Sequence, residues 1–506
     1  MKPFKQKVSL WAYSLAIAVF TVAAFHIPFF KHALSCLEGG FNGVVLMASA
    51  ALLLLALDFL VIYLLVYLGR WVGKFIVWFF FLFGNAIALY FVNDYHVIIT
   101  DDMMSNVWHT QYSEASGFFS LGFVLYVLLL GVLPGIYVFA RKVDYGSWKR
   151  ALATLGVGLA LLLTVVFGNM KNWPWIDRNS TELGGLSMPW SYVINSFRYW
   201  DAEKKRNVQE ILLPDATGIS DSRDVCVLII GESARRDHFS LYGYGKETNP
   251  YTAKDSVVAI KARAAATNTI GGVKALVSAF PSGDLYEILP NYLRRAGVDV
   301  TWRTGNWGEP PVKTEKYYTK DDLHKRFPDM DRHYDSILFE GLEEDLKANE
   351  AQKVFVVIHT YTNHGPSYNT NYPPEFEVFT PVCNTVEMSQ TSREELLNAY
   401  DNSIVYADYL THSVIEAVKK LDCRALVLFV SDHGESLGEN NLYMHGVPMA
   451  MAPKEQLEIP YVVWTSDSGL QVKNLAEVSQ YSVYHTVLRF LGIDSPVYDP
   501  GMDIFE

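Results

Sequence analysis

Five long apolar runs crowd the first third of the chain and leave little choice about what that part can become. They fall at 8–30, 44–68, 72–92, 118–140 and 151–169. Each comes close to the roughly 20 residues with which a helix crosses the hydrocarbon core of a bilayer. The first run follows Lys2, Lys5 and Lys7, as a secretory signal would. It is long, however, and no small-residue cleavage site follows it, so it reads as a retained span. Loop charge sets the orientation. Arg70 and Lys74 follow the second run, and Arg141, Lys142, Lys149 and Arg150 follow the fourth, whereas 93–117 holds neither Lys nor Arg. Basic loops stay in the cytoplasm, which places the N-terminus inside and the 93–117 loop outside. Five spans then put residues 170–506 outside. Asp58 lies within the second span, where a charge is costly. It reads equally well as a functional group or as part of a helix–helix contact.

The chain therefore divides into a five-helix membrane domain over 1–169, a linker with interfacial helices over 170–221, and an outer domain over 222–506. In the linker, Trp190, Val193, Ile194 and Phe197 recur at helical spacing, which suits a helix lying in the membrane interface. The net charge of -12 argues against nucleic acid as a partner. The four cysteines, Cys36, Cys226, Cys383 and Cys423, form no metal-type spacing and predict no disulfide framework.

From 222 onward, strand-like runs alternate with helix-like stretches. The strands are expected at Val225–Ile230, Val298–Trp302, Val354–Ile358, Ala425–Val430 and Pro460–Trp464, and helices at Leu285–Ala296 and Glu394–Leu421. That alternation predicts an α/β domain with a mostly parallel sheet. Such sheets carry their sites at the carboxyl ends of the strands. Here Glu232 follows the first strand, His364 the third after a short loop, and Asp432 and His433 the fourth, while His445 sits on a further loop. Carboxylate oxygens and imidazole nitrogens suit zinc well and manganese less tightly.

Phosphoryl transfer through a covalent intermediate also needs a nucleophile. Thr269 stands just before a helix-like run, where free backbone N–H groups and the positive end of the helix dipole would favour an alkoxide and an incoming phosphate. It reads equally as a helix N-cap, and Thr267 competes for the role.

Taken together, the motifs resemble the phosphoethanolamine transferases of Gram-negative inner membranes, within the alkaline phosphatase and sulfatase superfamily. The resemblance rests on Gly231-Glu232-Ser233-Ala234-Arg235, Tyr242-Gly243-Tyr244, Thr248-Asn249-Pro250, His364-Gly365-Pro366, Asn398 through Asn402, Ser431 through Gly438, Tyr443 through Gly446 and Ala452-Pro453. It implies an alkaline-phosphatase-like outer domain in the periplasm. Glu232, Asp432 and His433 would be zinc ligands, and Thr269 the nucleophile that also touches zinc. One zinc would be tightly bound, with a second left open. His364 and His445 would bind the phosphate group or that second metal. Asn106, Thr110 and Glu114 would hold the ethanolamine headgroup from one helical face. The implied donor is phosphatidylethanolamine, the acceptor lipid A or lipopolysaccharide core, and the chain a monomer. Masking surface phosphate in this way would weaken the binding of polymyxin-type cationic peptides. The chain departs from the family in having no cysteine beside Thr269. Two alternatives remain: a glycerol-phosphate transferase of the lipoteichoic-acid-synthase type, and a membrane-anchored binding protein without catalysis.

Overall fold

A computed structural model describes residues 7–37, 41–109, 118–169, 172, 175–176, 179–206, 210–384 and 391–506. The chain forms two compact units: Met1–Val107 with Glu114–Trp200, and Trp108–Ser113 with Asp201–Glu506.

Among the described residues, three helical runs of the first unit are long and apolar enough to cross a membrane: Gly43–Asp94, Leu121–Ala140 and Trp148–Gly168. A bent pair, Leu10–Phe25 and Ile27–Ser35, meets at 55° and makes a further span if taken as one. The Gly43–Asp94 run has 52 residues. As one straight helix it would be about 78 Å long, more than twice a hydrocarbon core. It is broken at Arg70, whose φ of 49° and ψ of -110° lie outside the helix region. A Cβ on Gly73 would stand 1.9 Å from the carbonyl oxygen of Leu65, so the chain doubles back at once and only glycine fits there. The run is therefore two spans joined by a tight turn, which makes five among the described residues with the bent pair taken as one.

Three contacts tie the basic segments to one end. Val8–Ser9 pairs in parallel with Val143–Asp144. Lys74 Nζ donates to the Arg141 carbonyl at 2.6 Å. The Arg70 guanidinium lies 3.8 Å from the centre of the Tyr145 ring. The Val8–Ser9 strand, the Arg70 turn and the 141–150 loop thus share one end of the bundle.

Asp58 is buried and accepts from Trp190 Nε1 at 2.9 Å, so its partner is the linker helix Trp190–Arg206. As far as Trp200, the exposed side of that helix carries large apolar side chains beside Arg198. Ser191, Asn195 and Ser196 are buried, whereas Ile194, Phe197 and Trp200 are 45%, 65% and 41% exposed. This corrects the expected stripe, because Trp190 turns inward to Asp58 and Trp200 takes its place on the outer face. Exposed large apolar side chains on a helix of the membrane unit are the arrangement expected next to lipid.

The second unit is built on an eight-stranded sheet. In chain order its strands are β1 Asp224–Gly231, β2 Val258–Arg263, β3 Asp299–Thr304, β4 Lys316–Thr319, β5 Lys353–His359, β6 Arg424–Ser431, β7 Glu458–Thr465 and β8 Val478–Ser479. Their order across the sheet is β8-β2-β7-β6-β1-β5-β3-β4. Only β7 runs against its neighbours. Both β1 and β5 are buried along their whole length, which explains why they read as unbroken apolar runs with no alternation. The helix expected at Leu285–Ala296 begins only at Leu289. Pro290 sits in its first turn, and Tyr286 before it is extended and bridges to Ile211. The long helix Arg393–Lys419 starts at a capping box made by Ser392 and Glu395. All four cysteines are free.

Candidate active site

The three central strands β6, β1 and β5 are parallel neighbours, so their carboxyl ends open side by side. Glu232 follows β1, and Asp432 and His433 follow β6. All three are fully buried. Ser233, at φ 52°, turns the chain so that its N–H reaches Asp432 Oδ1 at 3.0 Å and its hydroxyl reaches Glu232 Oε1 at 2.7 Å. The two loops are thereby locked to each other.

Thr269 enters from the start of helix Thr269–Leu276. The N-cap is Asn268, whose side chain accepts from the Gly271 N–H at 2.9 Å. The Thr269 hydroxyl is therefore not engaged as a cap. It stands 3.3 Å from Glu232 Oε2 and 3.4 Å from His433 Nε2. The Thr267 hydroxyl instead donates to the Val447 carbonyl at 2.7 Å. Helix and ligand loop touch at Gly272, where a Cβ would come within 2.2 Å of the Asp432 carbonyl oxygen. Backbone cannot yield cheaply there. Gly272→Ala is expected to cost about 1–3 kcal/mol of stability and to displace Thr269 from Glu232 and His433. Thermal melting would show the first effect and metal titration the second, and unchanged values for both would refute the close packing.

The spacing of the polar atoms fits a divalent cation. His433 Nε2 is 3.5 Å from Glu232 Oε1 and 3.4 Å from Asp432 Oδ2. With the two Thr269 distances, these separations are long for hydrogen bonds. Ligands at about 2.0–2.1 Å from one tetrahedral zinc stand about 3.4 Å from each other. Asp432 Oδ2 is buried and accepts no hydrogen bond, a costly state unless a cation supplies the missing charge. Burial alone would raise the Glu232 carboxyl, but His433, His364 and His445 outweigh it and hold it well below the usual range. Burial and then Glu232 push the Asp432 carboxyl well up. Burial and then His445 push His433 down to about 4, which leaves it a neutral ligand at ordinary pH.

His445 and His364 gather beside these groups. The His445 ring centre is 4.3 Å from that of His433 and 5.3 Å from that of His364. Glu435 Oε2 accepts from His445 Nδ1 at 2.7 Å, and Glu435 Oε1 accepts from the Tyr368 hydroxyl at 2.6 Å. This fixes the His445 tautomer and leaves Nε2 to face elsewhere. Sequence reading missed several members of the cluster. Asn306 Nδ2 donates to Glu232 Oε2 at 2.7 Å. His359 ends β5, pairs its Nδ1 with Glu309 Oε1 at 2.9 Å, and has a buried Nε2 without a hydrogen bond. Glu232, His359 and Asp432 offer ligand atoms within 4.8 Å of one another, as do Glu232, His433 and His445. The rule that found Glu232, a ligand at a strand end, would also have found His359.

Asn106 lies on helix Asp101–His109 of the first unit. Thr110 and Glu114 fall outside the described residues.

The sequence and the fold also match known proteins. The sulfatase family model matches residues 224–493, more than half of the chain. A second model, described as phosphoethanolamine transferase EptA/EptB, matches residues 53–203. The phosphoethanolamine transferase EptA of Helicobacter pylori is 33% identical over 435 residues, covering 83% of each chain. The chain belongs to the phosphoethanolamine transferase family. The Escherichia coli transferase EptA is 28% identical over 540 residues, covering 99% of this chain and 97% of its own. The solved lipooligosaccharide phosphoethanolamine transferase A of Neisseria meningitidis superposes with a TM-score of 0.86 at 26% identity, covering 99% of both chains. The transferase thus has the family's whole plan: a helical membrane unit followed by an alkaline-phosphatase-like domain.

Proposed function

We propose that this transferase takes phosphoethanolamine from phosphatidylethanolamine and passes it to lipid A or lipopolysaccharide core through a phosphothreonine at Thr269. The observation that carries this reading is the buried Thr269 hydroxyl, within 3.4 Å of both Glu232 and His433 at a helix start. One zinc ion held by Glu232, Thr269, Asp432 and His433 would polarise the phosphoryl oxygens and lower the pKa of the threonine.

In the first half-reaction Thr269 Oγ1 bonds to phosphorus, the bond from phosphorus to the diacylglycerol oxygen breaks, and that oxygen takes a proton. In the second, an acceptor oxygen bonds to phosphorus and Thr269 leaves. His364 and His445 neutralise phosphoryl charge and move the proton at the leaving and entering oxygens. Glu435 holds His445 in the required tautomer. Asn306 fixes the Glu232 carboxylate. His359 lies on the same side and is the natural further ligand if a second ion binds.

Asn106, Thr110 and Glu114 are proposed to receive the ethanolamine, with Glu114 opposite the ammonium. A carboxylate suits an ammonium and not a neutral glycerol, which disfavours glycerol-phosphate transfer. The N-terminus is placed in the cytoplasm and the catalytic unit in the periplasm of a Gram-negative cell, on the positive-inside pattern. The helix Trp190–Arg206 lies at the interface, and the chain acts as a monomer.

The test is the intact mass of the zinc-loaded enzyme after incubation with phosphatidylethanolamine, followed by peptide mapping and a chase with lipid A. The expected result is one phosphoethanolamine on Thr269, discharged by the acceptor. An enzyme that stays unmodified while lipid A is modified would exclude the covalent route.

A further inference from the structure

We infer that a groove on the membrane unit holds an acyl chain of an anionic phospholipid, with the basic start of helix Trp148–Gly168 meeting its phosphate. The groove has a volume of about 470 Å³. Trp11, Leu15, Leu55 and Phe59 wall it from one side, and Val157 and Leu161 from the other. Thr154 brings the only hydroxyl, and that hydroxyl donates to the Arg150 carbonyl of its own helix at 3.0 Å. The walls therefore suit hydrocarbon. At its floor the helices touch, since a Cβ on Gly158 would come within 2.6 Å of Leu60 Cδ2.

Helical spacing ties the groove to a charge. Arg150 lies three, four, seven, eight and eleven residues before Ala153, Thr154, Val157, Gly158 and Leu161. These positions share one face of the helix, so Arg150 stands one turn beyond the apolar wall. Lys142, Lys149 and Arg150 are exposed, and none forms an ion pair among the described residues. Asp144 is the only acid between 141 and 150. The start of a 21-residue helix adds its own positive end. An apolar slot that opens onto unneutralised cations matches a lipid with a phosphate and no ammonium. A zwitterionic headgroup would bring a second cation into the same cluster. Trp11, Leu15 and Ala153 bring the slot toward the end of the bundle that holds Val8–Ser9, so its occupant comes from the leaflet on that side.

The test uses the full chain, extracted in mild detergent, with co-purified lipids quantified by headgroup and compared with the source membrane. Phosphatidylglycerol or cardiolipin is expected to be enriched. Changing Lys149→Glu and Arg150→Glu together should cut that retained fraction by about fivefold or more, the effect of one basic residue near an anionic surface being of that size. Ala153→Trp, which fills the slot, should lower the same fraction. The charge variant sits at exposed positions and keeps the test usable if the tryptophan variant fails to fold. Retained lipid that mirrors the membrane, is mainly phosphatidylethanolamine, or is unchanged in the charge variant overturns the inference.

Discussion

Thr269→Ala is expected to abolish the covalent adduct and to lower phosphoethanolamine transfer by on the order of 10⁴-fold or more, as removal of a nucleophile does elsewhere. The fold should survive, because the helix start is capped by Asn268 and not by Thr269. Zinc affinity should fall by much less than activity, since three ligands remain. Transfer measured with labelled donor, beside metal content and a melting curve, separates these effects. Thr267→Ala is the control: its hydroxyl is spent on the Val447 carbonyl, so it should leave the adduct in place. Full transfer by Thr269→Ala would remove the proposed mechanism, and loss of the adduct in Thr267→Ala alone would reassign the nucleophile.

Asp432→Asn is expected to weaken zinc binding by about 10²–10³-fold, roughly one ligand's share of a structural zinc site. The pH dependence gives a second readout. In the metal-free protein burial and Glu232 push the Asp432 carboxyl well up, so it keeps a proton that a cation must displace. Apparent affinity should therefore rise with pH in the wild type, with proton release on binding. His433 adds nothing to this slope above its pKa of about 4. The asparagine variant should lose the slope as well as the affinity. Chelator competition at several pH values checks both, and an unchanged affinity would exclude Asp432 as a ligand.

Much of this site was legible in the sequence because of where it is built. Buried parallel strands such as β1 and β6 read as unbroken apolar runs, and the residues just past them stand out. Glu232, Asp432 and His433 were found that way, and the sheet order brings their strands together. His359 directly follows the expected run Val354–Ile358, so the same strand-end rule reaches it. Asn306, Glu309 and Tyr368 arrive from loops, and nothing in their spacing reveals that they converge. Thr267 and Thr269 could not be separated from sequence either, because the answer depends on which neighbour caps the helix. Periodicity likewise gave a helix through Trp190, Val193, Ile194 and Phe197 but not which of its faces turns inward, and a single partner, Asp58, settles where Trp190 goes.

The exposed apolar side chains of that helix have a consequence for cutting the protein into parts. A fragment that keeps Ile194, Phe197 and Trp200 carries a greasy seam with no lipid to cover it, and such a seam promotes clumping in water. The catalytic core begins just beyond. Ile211 already bridges to Tyr286, and Leu213 already packs in the sheet's hydrophobic core. The boundary between a water-soluble enzyme fragment and a detergent-dependent one therefore falls between Trp200 and Ile211.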